Sequence, residues 1–347
     1  MLPNRKAASL VPVCVACTCW WFTGETIAGE DNLRTMQYTS RAEQPAMLWQ
    51  KELRSELVRL LKMDDLISRK TSTPFHPKAL LSETREKYLF QEFELNSTSD
   101  RRIKVVLTLP TNLKGHFPAV VVIGGHGGTR RTCYGIPDGY FRFAHVLAEK
   151  GYVTISTRVS QHEVYEEGRT LMGERLWDLM RCVDFLTSLE EVDSQRIGCA
   201  GLSLGGEMAM WLGAMDERVQ ATLSSGFLTK MDQLENNNCM CWKFPGLREL
   251  VDFSDIYAMI APRALLCQNG RKEPRTKFPI SIARGALTQI EQIYADFEQP
   301  QNVALVAHQG GHVIHLPSLL SFFDTHLGRR KDPAEPGDSA DAEKTNH

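Results

Sequence analysis

The sequence lacks any surplus of charge. Its 40 Lys and Arg stand against 42 Asp and Glu over 347 residues, a formal net charge of −2. No basic tract is longer than Arg329-Arg330-Lys331, so no nucleic-acid partner is expected. Internal repeats are absent too, which excludes solenoid and propeller architectures. There is no long apolar run: the stretch from Ala7 to Phe22 is short for a bilayer span and is interrupted at Pro12, so no stable span is expected in the mature chain. Cys239-Met240-Cys241 has no second Cys or His pair at zinc-finger spacing, so a structural metal is not expected; no cofactor is expected either.

What is present begins with a leader. Arg5 and Lys6 precede the apolar stretch, and Thr26-Ile27-Ala28 ends it on a small residue. That is the layout of a secretory signal over residues 1–28, so export to the periplasm or medium is expected, with the cytoplasm as the alternative. Of nine cysteines, Cys14, Cys17 and Cys19 fall in this leader. Cys182, Cys199 and Cys267 sit in apolar helix or strand patterns and read as small buried hydrophobes; disulfide pairing is left open.

From Pro45 to Lys70 the pattern is helical, with Trp49, Leu53, Leu57 and Leu60 recurring at three- and four-residue steps. One apolar stripe predicts a helix docked on a larger body. Tyr88–Leu95 and Ile103–Leu109 flank a polar turn and suggest a hairpin. Ala119–Ile123 is uninterruptedly apolar, as a strand buried on both faces should be. Helices are then expected over 140–150, 171–189, 207–215, 280–297 and 316–326. Strands are expected over 153–157, 196–200, 219–224, 264–268 and 303–307. Alternation of this kind predicts an α/β fold with a mostly parallel central sheet, helices on both faces and an N-terminal helical extension. The expected divisions are a leader and extension over 29–84, the α/β domain over 85–328, and a disordered charged tail over 329–347.

The chemistry gathers at three places. Gly201-Leu202-Ser203-Leu204-Gly205 lies between a strand and a helix, the setting that makes G-x-S-x-G informative. A serine on so tight a turn needs small neighbours, and the helix start aims backbone N–H groups at the same spot. Ser203 is therefore the candidate nucleophile and the Leu204 amide a candidate oxyanion donor. The loop Gly124-Gly125-His126-Gly127-Gly128 follows a strand expected beside that of Ser203 and should supply a second donor, Gly128 first and Gly127 next. No Gly-Lys-Ser/Thr follows it, which disfavours a nucleotide site. His126 is expected to shape this loop and not to transfer protons.

A serine needs a base within hydrogen-bond reach. His312 follows Gly310-Gly311 after the last strand and fits the chain order Ser, acid, His. His308 closes the strand and His315 starts a helix. The orienting acid should follow the strand 264–268, where Glu273 is the only carboxylate; Asp232 is the rival, and Asp296 sits in a helix. Trp242 and Phe244 are candidate pocket walls, with core packing as the alternative.

Over residues 85–327 the chain resembles the dienelactone-hydrolase-like and acetyl-xylan-esterase-like branch of the α/β hydrolases. The resemblance rests on Gly201-Leu202-Ser203-Leu204-Gly205-Gly206-Glu207, on Cys239-Met240-Cys241-Trp242 and on Pro245-Gly246-Leu247-Arg248-Glu249-Leu250. It implies a triad of Ser203, Glu273 and His312, an oxyanion hole from Leu204 and the 124–128 loop, and hydrolysis of short-acyl esters of small molecules or carbohydrates. The chain departs from acetyl xylan esterases, which usually carry Asp where Glu273 stands, and from dienelactone hydrolases, whose nucleophile is Cys. Glucuronoyl esterases place Arg after the serine, where this chain has Leu204. A serine peptidase of the same fold and a catalytically silent binding protein are the alternatives.

Overall fold

The computed structural model describes residues 33–68, 73–111, 115–136, 142–235 and 238–328; the expected export signal and the charged tail lie outside them. In chain order the first half holds α1 (Glu43–Leu60), α2 (Asp64–Ser68), β1 (Lys78–Thr84), β2 (Tyr88–Asn96), β3 (Arg102–Pro110), β4 (Phe117–Ile123), α3 (Phe143–Glu149), β5 (Val153–Thr157) and α4 (Leu171–Thr187). The second half holds β6 (Val192–Leu202), α5 (Leu204–Met215), β7 (Val219–Ser225), α6 (Met231–Glu235), α7 (Leu247–Leu250), α8 (Phe253–Ala258), β8 (Ala264–Gly270), α9 (Ile280–Asp296), β9 (Val303–His308) and α10 (Leu316–Leu327).

The described strands form one sheet in the order β1-β2-β3-β5-β4-β6-β7-β8-β9. The pairings β1–β2, β2–β3 and β3–β5 are antiparallel, and those from β5 to β9 are parallel. Every residue of β4, β5 and β8 is buried, and β4 accordingly reads as a continuous apolar run. Successive side chains still alternate between faces. Val121 joins a core with α4, α5, α8 and α9, whereas Val120 and Val122 join a second core with α3 and α10. The result is a sheet between two helical layers. It is the α/β architecture expected from the sequence.

The structure departs from the sequence reading in three places. β1 lies ahead of residue 85, in the stretch assigned to the helical extension. Nearly all of it is exposed, so it carries no apolar alternation to read, and it is held by pairing with β2. α5 starts at Leu204 and not at Glu207, because Gly205 and Gly206 serve close packing inside the helix. The short helices α6, α7 and α8 fill 231–258, where no periodicity was long enough to show.

The helical extension docks as expected. Ala46, Trp49, Leu53 and Leu57 of α1 are buried in the α5-side core. The buried polar group on that stripe is satisfied, since Gln50 Nε2 donates to the Ala261 carbonyl at 2.8 Å. Among the described residues, no helix is long and apolar enough to cross a membrane.

Candidate active site

Ser203 sits at the junction of β6 and α5 with φ 61° and ψ −124°. A non-glycine residue at positive φ is strained by roughly 1–3 kcal/mol, so the surroundings must hold it there. They do so by close approach. A Cβ on Gly201 would lie 2.0 Å from the Gly205 carbonyl oxygen, one on Gly205 2.2 Å from that of Ile123, and one on Gly206 2.5 Å from that of Ser225. The Ser203 amide also donates to the Ser225 carbonyl at 2.9 Å. The three glycines are thus explained by close backbone approach, of Gly201 to Gly205 and of Gly205 and Gly206 to β4 and β7, and Ser203 is lifted to the end of the sheet.

Glu273 and His312 come from the loops after β8 and β9, which are tied together. The amides of Arg271 and Lys272 donate to the carbonyls of His308 and Gly310 at 2.8 and 3.0 Å. A Cβ on Gly270 would lie 2.1 Å from the Gly311 oxygen. Across this seam Glu273 Oε1 lies 2.7 Å from His312 Nδ1. An ionised carboxylate can only accept, so Nδ1 carries the proton and Nε2 is left with a lone pair. The Glu273 side chain is 1% exposed and that of His312 37%, so the acid is sealed while the imidazole opens toward solvent. Phe278 stacks on the His312 ring at 5.4 Å and 14°. Gly226, at φ +59°, leaves room for it on another side.

The other candidates have different partners. Asp232 is largely exposed and pairs with Arg248. Asp296 accepts from the Tyr38 hydroxyl at 2.6 Å and from the Arg41 amide at 2.9 Å. His308 Nδ1 accepts from the Gly310 amide at 3.1 Å, and its ring stacks on His315. Burial, with His315 adding to it, keeps the His308 pKa below the usual histidine value. His315 Nδ1 pairs with the Ser318 hydroxyl at 2.8 Å.

β4 pairs directly with β6, with Ile123 opposite Gly201, so the 124–128 loop does begin beside the elbow. Its donors are not arranged as expected. The Gly128 amide closes a turn on the Gly125 carbonyl at 3.0 Å, and the Gly128 carbonyl accepts from the Ser160 hydroxyl at 2.7 Å. Gly128 is therefore committed to loop structure. Gly127, at φ +69°, and His126 make no backbone–backbone bond through their amides among the described residues. Leu204 opens α5, where first-turn amides have no intrahelical acceptor.

Ser203, Leu204, Glu273 and His312 line one cavity of about 450 Å³ together with His126, Phe227, Trp242 and Phe278. Trp242 is 1% exposed and packs edge-on against Phe253, so it is a wall and not a free stacking face. Phe244 is not among the lining residues; its ring packs against Trp211 at 6.3 Å, and core packing explains it. Several lining residues were not singled out in the sequence, among them Phe227, Phe278 and the acidic Glu207. Glu207, four positions after Ser203, is buried within α5 and borders the cavity. Burial raises its pKa to about 8 against the opposing charge of Arg175. Helical spacing from the serine was the signal that could have found it. A larger cleft of about 1010 Å³ lies elsewhere, but there Arg101 is ion-paired with Glu166 and Asp178.

Known proteins similar to this chain carry hydrolase and esterase names. Residues 95–227 match the family model described as glucuronyl esterase, fungi, less than half of the chain. The chain is 26% identical over 237 residues to YtaP of Bacillus subtilis (strain 168), which carries a hydrolase name, covering 61% of this chain and 77% of that one. Among solved structures it is similar to methylesterase BT1017, with a TM-score of 0.68, 19% identity, and 85% and 67% of the two chains covered. It is also similar to the acetyl xylan esterase from Paenibacillus sp. R4, with a TM-score of 0.59, 17% identity, and 85% and 99% covered. The chain shares the α/β-hydrolase fold of these esterases.

Proposed function

We propose that this chain is a carboxylic-ester hydrolase working through an acyl-enzyme on Ser203, with His312 as base and Glu273 as the acid that orients it. The observation that carries this reading is the convergence of the Ser203 elbow and the Glu273–His312 pair, bonded at 2.7 Å, on one cavity. Ser203 Oγ attacks the acyl carbon while His312 Nε2 takes its proton, and Glu273 holds the imidazole in the required tautomer and stabilises the imidazolium. The oxyanion is held by the Leu204 amide and by the 124–128 backbone, at His126 or Gly127 now that Gly128 is committed elsewhere. The tetrahedral intermediate collapses, and His312 returns the proton to the departing alcohol. Water, deprotonated by His312, then attacks the acyl-enzyme and releases the acid.

The substrate class we infer is a short-acyl ester, acetyl first, carried by a carbohydrate or another small alcohol. Its supports are the modest cavity, walled in part by Phe227, Trp242 and Phe278, and structural neighbours named for methyl, acetyl xylan and glucuronoyl esters. Initial rates on p-nitrophenyl acetate, butyrate and octanoate test it. The highest rate should fall on acetate; a steady rise toward octanoate would reject the short-acyl reading. Preference for peptide amides over esters would move the chain to the peptidase alternative. Export through the 1–28 leader belongs to the same reading, and the N-terminal sequence of protein recovered from cell fractions tests it.

A further inference from the structure

Four metal-ligating side chains meet beside the cavity from segments far apart in the chain. His126 comes from the loop after β4, His162 from the loop after β5, and Cys239 and Cys241 from the stretch between α6 and α7. Their ligand atoms all lie within 4.8 Å of one another. His126 Nε2 is 3.2 Å from Cys241 Sγ, and His162 Nε2 is 3.2 Å from Cys239 Sγ. The two imidazoles stack with centroids 5.6 Å apart. A tetrahedral ion bound at about 2.3 Å to sulfur and about 2.0 Å to nitrogen spaces its ligand atoms roughly 3.3–3.8 Å apart. Both nitrogen–sulfur pairs are already near that spacing. The remaining pairs need side-chain shifts of only about 1 Å to reach it.

We propose that His126, His162, Cys239 and Cys241 form a structural zinc site, binding through both Nε2 and both Sγ atoms. Two thiolates and two imidazoles are a ligand set that suits zinc, and four protein ligands leave no open position for chemistry on the ion. On binding, the two thiol protons leave to solvent, and the two thiolates balance the double charge of the ion. Arg175, wholly buried in α4, points NH1 at Cys241 Sγ from 3.4 Å, a donor suited to a sulfur that has become anionic. The same Arg175 donates through NH2 to the Gln161 carbonyl, next to His162, so it braces two arms of the cluster. An ion here would pin the His126 loop to the segment bearing Trp242, fixing two walls of the cavity.

The sequence argument against a metal looked for a second pair at short spacing. The contacts instead span 115 and 77 residues, and the adjacent strand ends of β4 and β5 bring the histidines together. This inference does not depend on the esterase reading, because an inert protein of this fold would hold the same ion.

The test is metal analysis of the full chain, expressed with zinc in the medium and purified without metal-affinity chromatography. We expect close to one zinc per chain. Replacement by cobalt should give the near-ultraviolet thiolate-to-cobalt charge-transfer absorption. The double variant Cys239→Ser/Cys241→Ser should retain less than about a tenth of the zinc, and His162→Ala should lose it to a comparable degree, with native circular dichroism checking that each variant folds. Chelation should lower the Tm of the wild type and leave that of the double variant unmoved. Wild-type protein that takes up neither zinc nor cobalt would overturn the site. So would zinc retained at wild-type level in the double variant, or a Cys239–Cys241 disulfide found by mass spectrometry in the freshly isolated protein.

Discussion

Glu273 Oε1 accepts from His312 Nδ1 at 2.7 Å across a seam where the loops after β8 and β9 exchange backbone hydrogen bonds. The carboxylate is sealed from solvent, and the imidazole faces the cavity that holds Ser203. Because the pair spans two loops bonded to each other, its geometry is set by the scaffold before substrate arrives. Losing the negative charge while keeping the shape isolates what Glu273 contributes. Glu273→Gln is expected to lower kcat on p-nitrophenyl acetate by about three to four orders of magnitude with an unchanged fold. Asp232→Asn, on a side chain 71% exposed, should stay within about twofold of wild type. Steady-state kinetics on both variants check this, and a large loss in Asp232→Asn alone would reverse the acid assignment.

Gly226 offers a test of positioning. At φ +59°, a Cβ there would lie 2.9 Å from His312 Cε1 and 3.0 Å from Nδ1. Gly226→Ala should therefore displace the imidazole and cost kcat about 10- to 100-fold. Unfolding should be eased by only about 1 kcal/mol from the strained backbone. Wild-type kcat in this variant would mean that the ring is not confined from that side.

Glu207 gives a pH signature. Its folded pKa, raised to about 8 by burial, lies above its unfolded value near 4.3. Between those values the folded state binds the extra proton, so its contribution is full below the lower pKa and is lost as pH rises toward the upper one. Wild-type stability should accordingly fall between about pH 5 and pH 8.5 by an amount on the order of a few kcal/mol from this group. Glu207→Gln should flatten that slope. Urea unfolding of both proteins at the two pH values measures it, and equal slopes would show that Glu207 does not titrate there.

How much was legible in advance follows from the range of the signal. Ser203, Glu273 and His312 each sit in a short local pattern (a glycine-flanked turn, a lone acid past a strand, a histidine after paired glycines), so three neighbouring residues were enough to mark each. β4 was equally plain, because burial on both faces left it an unbroken apolar run. β1 carried no such mark, since an exposed edge strand is held by its partner's backbone. That the Gly128 amide closes a turn on Gly125 is something no composition reveals: which amide of a glycine loop is free depends on which one closes the turn. Phe244 was near the site in sequence, but its ring packs toward Trp211. The His126, His162, Cys239 and Cys241 cluster was invisible because topology, and not spacing, assembles it.

On the proposed mechanism the atom that takes the acyl group is Ser203 Oγ. Intact-protein mass spectrometry after reaction with a fluorophosphonate probe, followed by peptide mapping, tests it most directly. The wild type should gain a single adduct on the peptide carrying Ser203, and Ser203→Ala should gain none while losing at least about three orders of magnitude in esterase rate. An adduct mapped to another residue, or labelling of Ser203→Ala at the wild-type rate, would contradict the account.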